Sequence, residues 1–70
     1  MTKELFLEKM ADILDAETEL TLATPLKDIE EWDSLSVVSF VALANTEANK
    51  KIDVKTIRMA QTLGDLYAML

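Results

Sequence analysis

Apolar positions recur along this chain at helical rather than strand spacing. Between Lys3 and Glu17, Phe6, Met10, Ile13 and Leu14 share one face, Leu7 widens it, and Glu4, Glu8, Lys9, Asp12 and Asp15 take the other. This pattern predicts a first helix over 3–17. Glu4 with Glu8 and Glu8 with Asp12 are like-charged i,i+4 pairs, so that helix must draw its stability from packing. The period is then lost. Thr18, Thr21 and Thr24 are poor helix formers and Pro25 sets a turn, which predicts a loop over 18–33. Leu20, Leu22, Leu26, Ile29 and Trp32 pin that loop, with one short turn expected at Leu26–Glu30.

Helical spacing resumes after Asp33 or Ser34, either of which can cap a second helix over 34–49. Its inner stripe is expected to be Leu35, Val38, Val41 and Ala42, broadened by Phe40, Leu43 and Ala44. Ile52, Val54, Ile57 and Met59 mark a short third helix over 54–58, opened by Asp53. Thr62 and Asp65 have the spacing of a capping box, with Asp for the usual Glu, and start a fourth helix over 62–70. Its inner face is Leu63, Leu66, Tyr67 and Leu70. Gly64 costs this helix about 1 kcal/mol relative to alanine, so either it is simply tolerated or the backbone is closely approached there. The fold class is all-α: one domain over 1–70, three longer helices, a short third one, and a long loop between the first two.

Composition narrows the chemistry. A chain of 70 residues buries only about 60 % of its unfolded surface, too little for the rigid walls of a catalytic cleft. Without cysteine there is no disulfide, thiolate ligand or thiol nucleophile; without histidine the usual base near neutral pH is missing. Ser34 therefore has no activating partner, and neighbouring acids such as Glu30 and Glu31 are expected to be a solvated surface. The run Asp28–Asp33 lacks the glycine of a calcium loop, and a single glycine cannot build a phosphate cradle. Neither an enzyme nor a metal site is expected.

Charge narrows the partners. The net charge of −6 disfavours nucleic acid and anionic membrane surfaces. Its distribution is uneven: residues 1–33 hold ten acids and three lysines, residues 34–70 three acids and four bases. No apolar run approaches the roughly 20 residues needed to cross a bilayer. A cytoplasmic monomer without membrane insertion is the expectation.

One constellation remains, Asp33-Ser34-Leu35. A serine in the first turn of a helix, beside a long loop, is easily reached. A phosphate diester attached there would sit over free N–H groups at the positive helix end. The plainer alternative is that Asp33 and Ser34 are caps and Leu35 is core. The surrounding sequence bears on that choice. The stretch from Pro25-Leu26 through Ile29 to Asp33-Ser34-Leu35, continued by Val38 and Phe40-Val41, resembles the entry to the second helix of acyl and peptidyl carrier proteins. Thr62-Leu63-Gly64-Asp65-Leu66 is similar to that family's start of the last helix, so the resemblance spans nearly the whole chain.

The resemblance implies an acyl-carrier-protein-like four-helix bundle. It implies that a phosphopantetheinyl transferase moves 4′-phosphopantetheine from coenzyme A onto Ser34. Acyl or aminoacyl cargo would then ride as a thioester on the arm, served by acyl-activating, acyltransferase or condensing enzymes of a dedicated biosynthetic pathway. Asp33 and Leu35 would guide recognition by the transferase. Two positions on the second helix that are commonly acidic in the family are Ser36 and Ser39 here. Partner docking is therefore expected to use Trp32, Val37, Asp28, Glu30 and Glu31 around those serines. Val38, Phe40, Val41, Ala44, Ile57 and Leu63 would line any acyl cavity. The competing reading is an unmodified helical adaptor in which Ser34 is only a cap.

Overall fold

The computed structural model describes residues 1–16 and 19–70. Helix α1 runs Lys3–Leu14, α2 Ser34–Glu47, α3 Val54–Arg58 and α4 Leu63–Ala68, with a 3-10 turn at Leu26–Asp28. The fold is all-α with four helices and a long connection between α1 and α2, and the described residues contain no strand. Expected and observed helices correspond one to one. The expected end of the first helix at Glu17 and the first loop residue, Thr18, lie outside the described residues.

Helix α1 stops early for a local reason. Thr2 caps its start, its side chain accepting from the Leu5 N–H at 3.1 Å. At the other end Asp15 adopts a left-handed conformation, φ 49°. The Ala16 N–H then reaches back to the Ala11 carbonyl at 3.1 Å, and the Asp15 N–H to Asp12 at 3.3 Å. These are the reverse-wound bonds with which helices commonly terminate, here made without glycine. Helix α2 also ends before the expected 49, because Asn49 takes φ 53° and the Lys50 N–H turns back to the Ala44 carbonyl.

The core joins all four helices to the loop. Phe6, Met10 and Leu14 come from α1, Val37, Phe40, Leu43 and Ala44 from α2, Ile57 from α3, and Leu63 and Leu66 from α4. Leu20, Leu26 and Ile29 enter from the loop, which is thereby held as an ordered element. The Phe6 and Tyr67 rings meet with centroids 5.2 Å apart, within the range of favourable tilted packing.

The inward face of α2 differs from the expected one. Ser36, Val37, Phe40, Leu43 and Ala44 are buried, whereas Leu35 is 74 % and Val38 60 % exposed and Ala42 lies outside as well. Only Phe40, Leu43 and Ala44 of the predicted set are core. Both stripes obey helical spacing, and apolar residues surround this helix, so the period defines a helix without choosing its rotation. Phe40 decides it: the largest side chain on the helix is fully buried, and the stripe one turn either side follows.

The loop closes onto α4 through backbone bonds. The Leu63 N–H donates to the Thr24 carbonyl at 3.1 Å, the Gly64 N–H to Leu22 at 2.8 Å, and the Leu26 N–H to Gln61 at 2.8 Å. A side chain at 64 would bring its Cβ to 2.8 Å from the Leu22 oxygen. Gly64 is therefore a close-approach glycine. The predicted capping box is present, with the Asp65 N–H on Thr62 Oγ1 at 3.2 Å and Asp65 Oδ2 accepting from the Thr62 N–H at 3.2 Å.

Candidate functional site

Asp33, Ser34 and Leu35 stand where the loop becomes α2. Asp33 is the cap: it is extended, and its Oδ1 accepts the Ser36 N–H at 3.0 Å. Ser34 is the first helical residue and is exposed. The first N–H groups of a helix have no acceptor within the helix. Among the described residues, nothing else accepts from the N–H groups of Ser34 or Leu35. An exposed hydroxyl therefore stands beside two free backbone donors at the positive end of a 14-residue helix. Leu35 is a surface residue, not core.

The turn before Ser34 is braced from inside. Ser36 is 6 % exposed; its hydroxyl donates to the Glu31 carbonyl at 2.6 Å and lies 3.3 Å from Asp33 Oδ1. The Trp32 N–H donates to Ile29 at 3.1 Å, so the chain from Ile29 to Asp33 is held on both sides of the indole. A serine placed three residues after a capping aspartate is the sequence signal for this brace, but the same signal also fits a solvated hydroxyl.

The residues expected to meet partners divide. Asp28, Glu30 and Glu31 are exposed on the loop, and Trp32 and Ser39 are half-buried. Ser36 and Val37 are buried, because α2 is rotated from the expected phase, and they drop out of any docking surface. The expected cavity residues divide too. Phe40, Ala44, Ile57 and Leu63 are fully buried core. Val38 and Val41 instead wall an open groove of about 490 Å³ between α2 and residues 50–53, shared with Ala42, Asn45, Lys50, Lys51, Ile52 and Asp53. Sequence reasoning did not find this groove, since its far wall is a connection whose path is visible only in three dimensions.

Electrostatics around the site are simple. Asp53 caps α3, accepting the Thr56 N–H at 2.7 Å. Hydrogen bonds from the Thr56 backbone, then from its side chain, hold the Asp53 carboxyl below the ordinary carboxylate value. The described residues contain no cluster of three or more acids that could hold a metal ion. None of their helices is long and apolar enough to cross a membrane.

Residues 4–70 match the sequence profile of one protein family, described as "Phosphopantetheine attachment site". No curated protein and no solved structure matches the chain significantly.

Proposed function

The chain belongs to the phosphopantetheine attachment-site family, that of acyl and peptidyl carrier proteins, and from that premise we propose that Ser34 is its point of attachment. The observation that carries this reading is the exposed Ser34 hydroxyl at a helix start whose first two N–H groups are free. The residues fit the group. A phosphodiester on Oγ would meet the Ser34 and Leu35 donors and the helix dipole, while the capping bond to Ser36 occupies Asp33 Oδ1. In the transfer, Ser34 Oγ bonds to phosphorus as the pyrophosphate P–O bond of coenzyme A breaks. The nucleotide half leaves and the hydroxyl proton passes to the transferase or to water.

The arm supplies the thiol on which acyl or aminoacyl cargo is held as a thioester. The protein's own residues hold the attachment point in place and offer surfaces to the enzymes that load and use the cargo. Reaction chemistry then belongs to those partners, and this chain is a carrier rather than an enzyme. A flexible arm raises the effective concentration of cargo at each partner in turn. Asp33 and Leu35 would serve recognition by a phosphopantetheinyl transferase. Asp28, Glu30, Glu31 and Trp32 would form one rim of partner contact.

The test is direct. The purified protein is incubated with coenzyme A and a broad-specificity phosphopantetheinyl transferase, and its intact mass is recorded. One phosphopantetheine increment is expected, and none with Ser34→Ala. No increment on the wild-type chain, or an increment that survives Ser34→Ala, would overturn the assignment and favour an unmodified adaptor.

A further inference from the structure

The charge around the groove is opposite in sign to the charge of the whole molecule. Lys50 and Lys51 line it against a single acid, Asp53, and the exposed Lys55 and Arg58 follow on α3. Among the described residues none of these four cations lies in a salt bridge. Neither acid that flanks this stretch of chain pairs with these cations. Glu47 pairs with Lys9 of α1 at 3.6 Å, and the Asp53 carboxylate is held on the Thr56 N–H. From Leu35 to Thr46, α2 carries no acid at all.

The groove also has an apolar wall that begins close to Ser34. Val38 lies one turn beyond Ser34, and Val41, Ala42 and Asn45 continue that side of the helix into the groove, with Ile52 opposite. Exposed Leu35 and Val38 extend this apolar surface back toward the attachment point. A partner seated here would cover apolar side chains while meeting free ammonium groups at the rim.

We propose that this groove docks an acidic segment with an apolar ridge, presented by the enzymes that act on the group carried at Ser34. The proposal rests on the carrier reading for the identity of those enzymes, but the groove's preference for acidic partners is a property of the unmodified chain. Rim charges of this kind set partner choice and association rate more than tightness. A basic partner would meet the loop acids at Asp28, Glu30 and Glu31 without gaining anything from the α3 side.

The test uses the unmodified protein, labelled with ¹⁵N, and two helical peptides sharing one leucine ridge, flanked in one by glutamates and in the other by lysines. At low salt the glutamate peptide is expected to shift the amides of Val38, Ala42, Lys50, Lys51 and Ile52. Lys50→Glu with Lys51→Glu should weaken that binding about tenfold, the sum of two reversed exposed pairs, and added salt should weaken it further. Preference of the groove for the lysine peptide, or unmoved groove amides with the glutamate peptide, would overturn the proposal. Groove shifts on changing protein concentration alone would overturn it in favour of a second copy of this chain. Because Ser34 is unmodified throughout, failure here is distinct from failure of the attachment test.

Discussion

Helices α2 and α4 begin in contrasting ways. At α4 the first turn is closed: Thr24 and Leu22 carbonyls take the Leu63 and Gly64 N–H groups, and Thr62 takes that of Asp65. At α2 one side chain, Asp33, satisfies Ser36, and the two preceding donors are left to solvent beside an exposed hydroxyl. A helix start that serves only folding can be sealed by the nearest loop. The start of α2 stays open, as the proposed attachment at Ser34 requires, and its stability comes from behind, through Asp33 and the buried Ser36.

Substitutions can break this contrast from either side. Gly64→Ala should have the largest effect, because its Cβ would meet backbone rather than a yielding side chain. We expect a loss of about 1–3 kcal/mol in urea unfolding, outweighing the gain of roughly 1 kcal/mol in helix propensity. Removing the caps should cost about 1 kcal/mol at each end, for Thr62→Ala and Asp33→Ala alike. Only the second should also slow modification, measured as transferase kcat/KM. Ser36→Ala deletes the brace and leaves the Glu31 carbonyl short of a donor; a cost of about 1–1.5 kcal/mol is expected.

Smaller effects are expected at Asp15, Asp53 and Ser34. Asp15→Gly relieves a left-handed non-glycine residue and removes an acid from a helix C-terminus; it should raise stability by about 0.5–1 kcal/mol. Asp53 has its folded pKa lowered, so its stabilising contribution is present above the unfolded carboxylate value and is lost as pH falls through the folded one. Asp53→Asn keeps a capping oxygen and should flatten the loss of stability below about pH 4, followed by denaturation in acid. Ser34→Ala should be the least disruptive, within about 0.5 kcal/mol of wild type, since Asp33 and not Ser34 is the cap.

Much of this architecture was legible in the chain. Asp53 and the Thr62–Asp65 pair announced two helix starts through side-chain chemistry, while Gly64 left tolerance and close approach open until the Leu22 carbonyl decided between them. The rotation of α2 was not legible, because Leu35, Val38 and Val41 make as good an apolar stripe as Val37, Phe40 and Ala44. The choice between them depends on which stripe the other helices can cover. The early end of α1 was also hidden, since an aspartate at φ 49° carries no sequence mark that glycine would have supplied. The Leu22 and Thr24 carbonyls that seal α4 are backbone groups, and no side-chain pattern records them. At the proposed site, the motif marks Ser34 as a candidate and the structure places it exposed at the start of α2, whereas the cationic groove depends on a chain path that brings Lys50 and Lys51 beside Val38.

The contrast between the two helix starts is tested most directly by amide chemical shifts before and after transferase loading from coenzyme A. Loading is expected to move the Ser34 and Leu35 N–H resonances most, as they take up the new phosphodiester, while Leu63, Gly64 and Asp65 stay in place. Unmoved Ser34 and Leu35 amides in a fully loaded sample, or equal shifts at the start of α4, would contradict it.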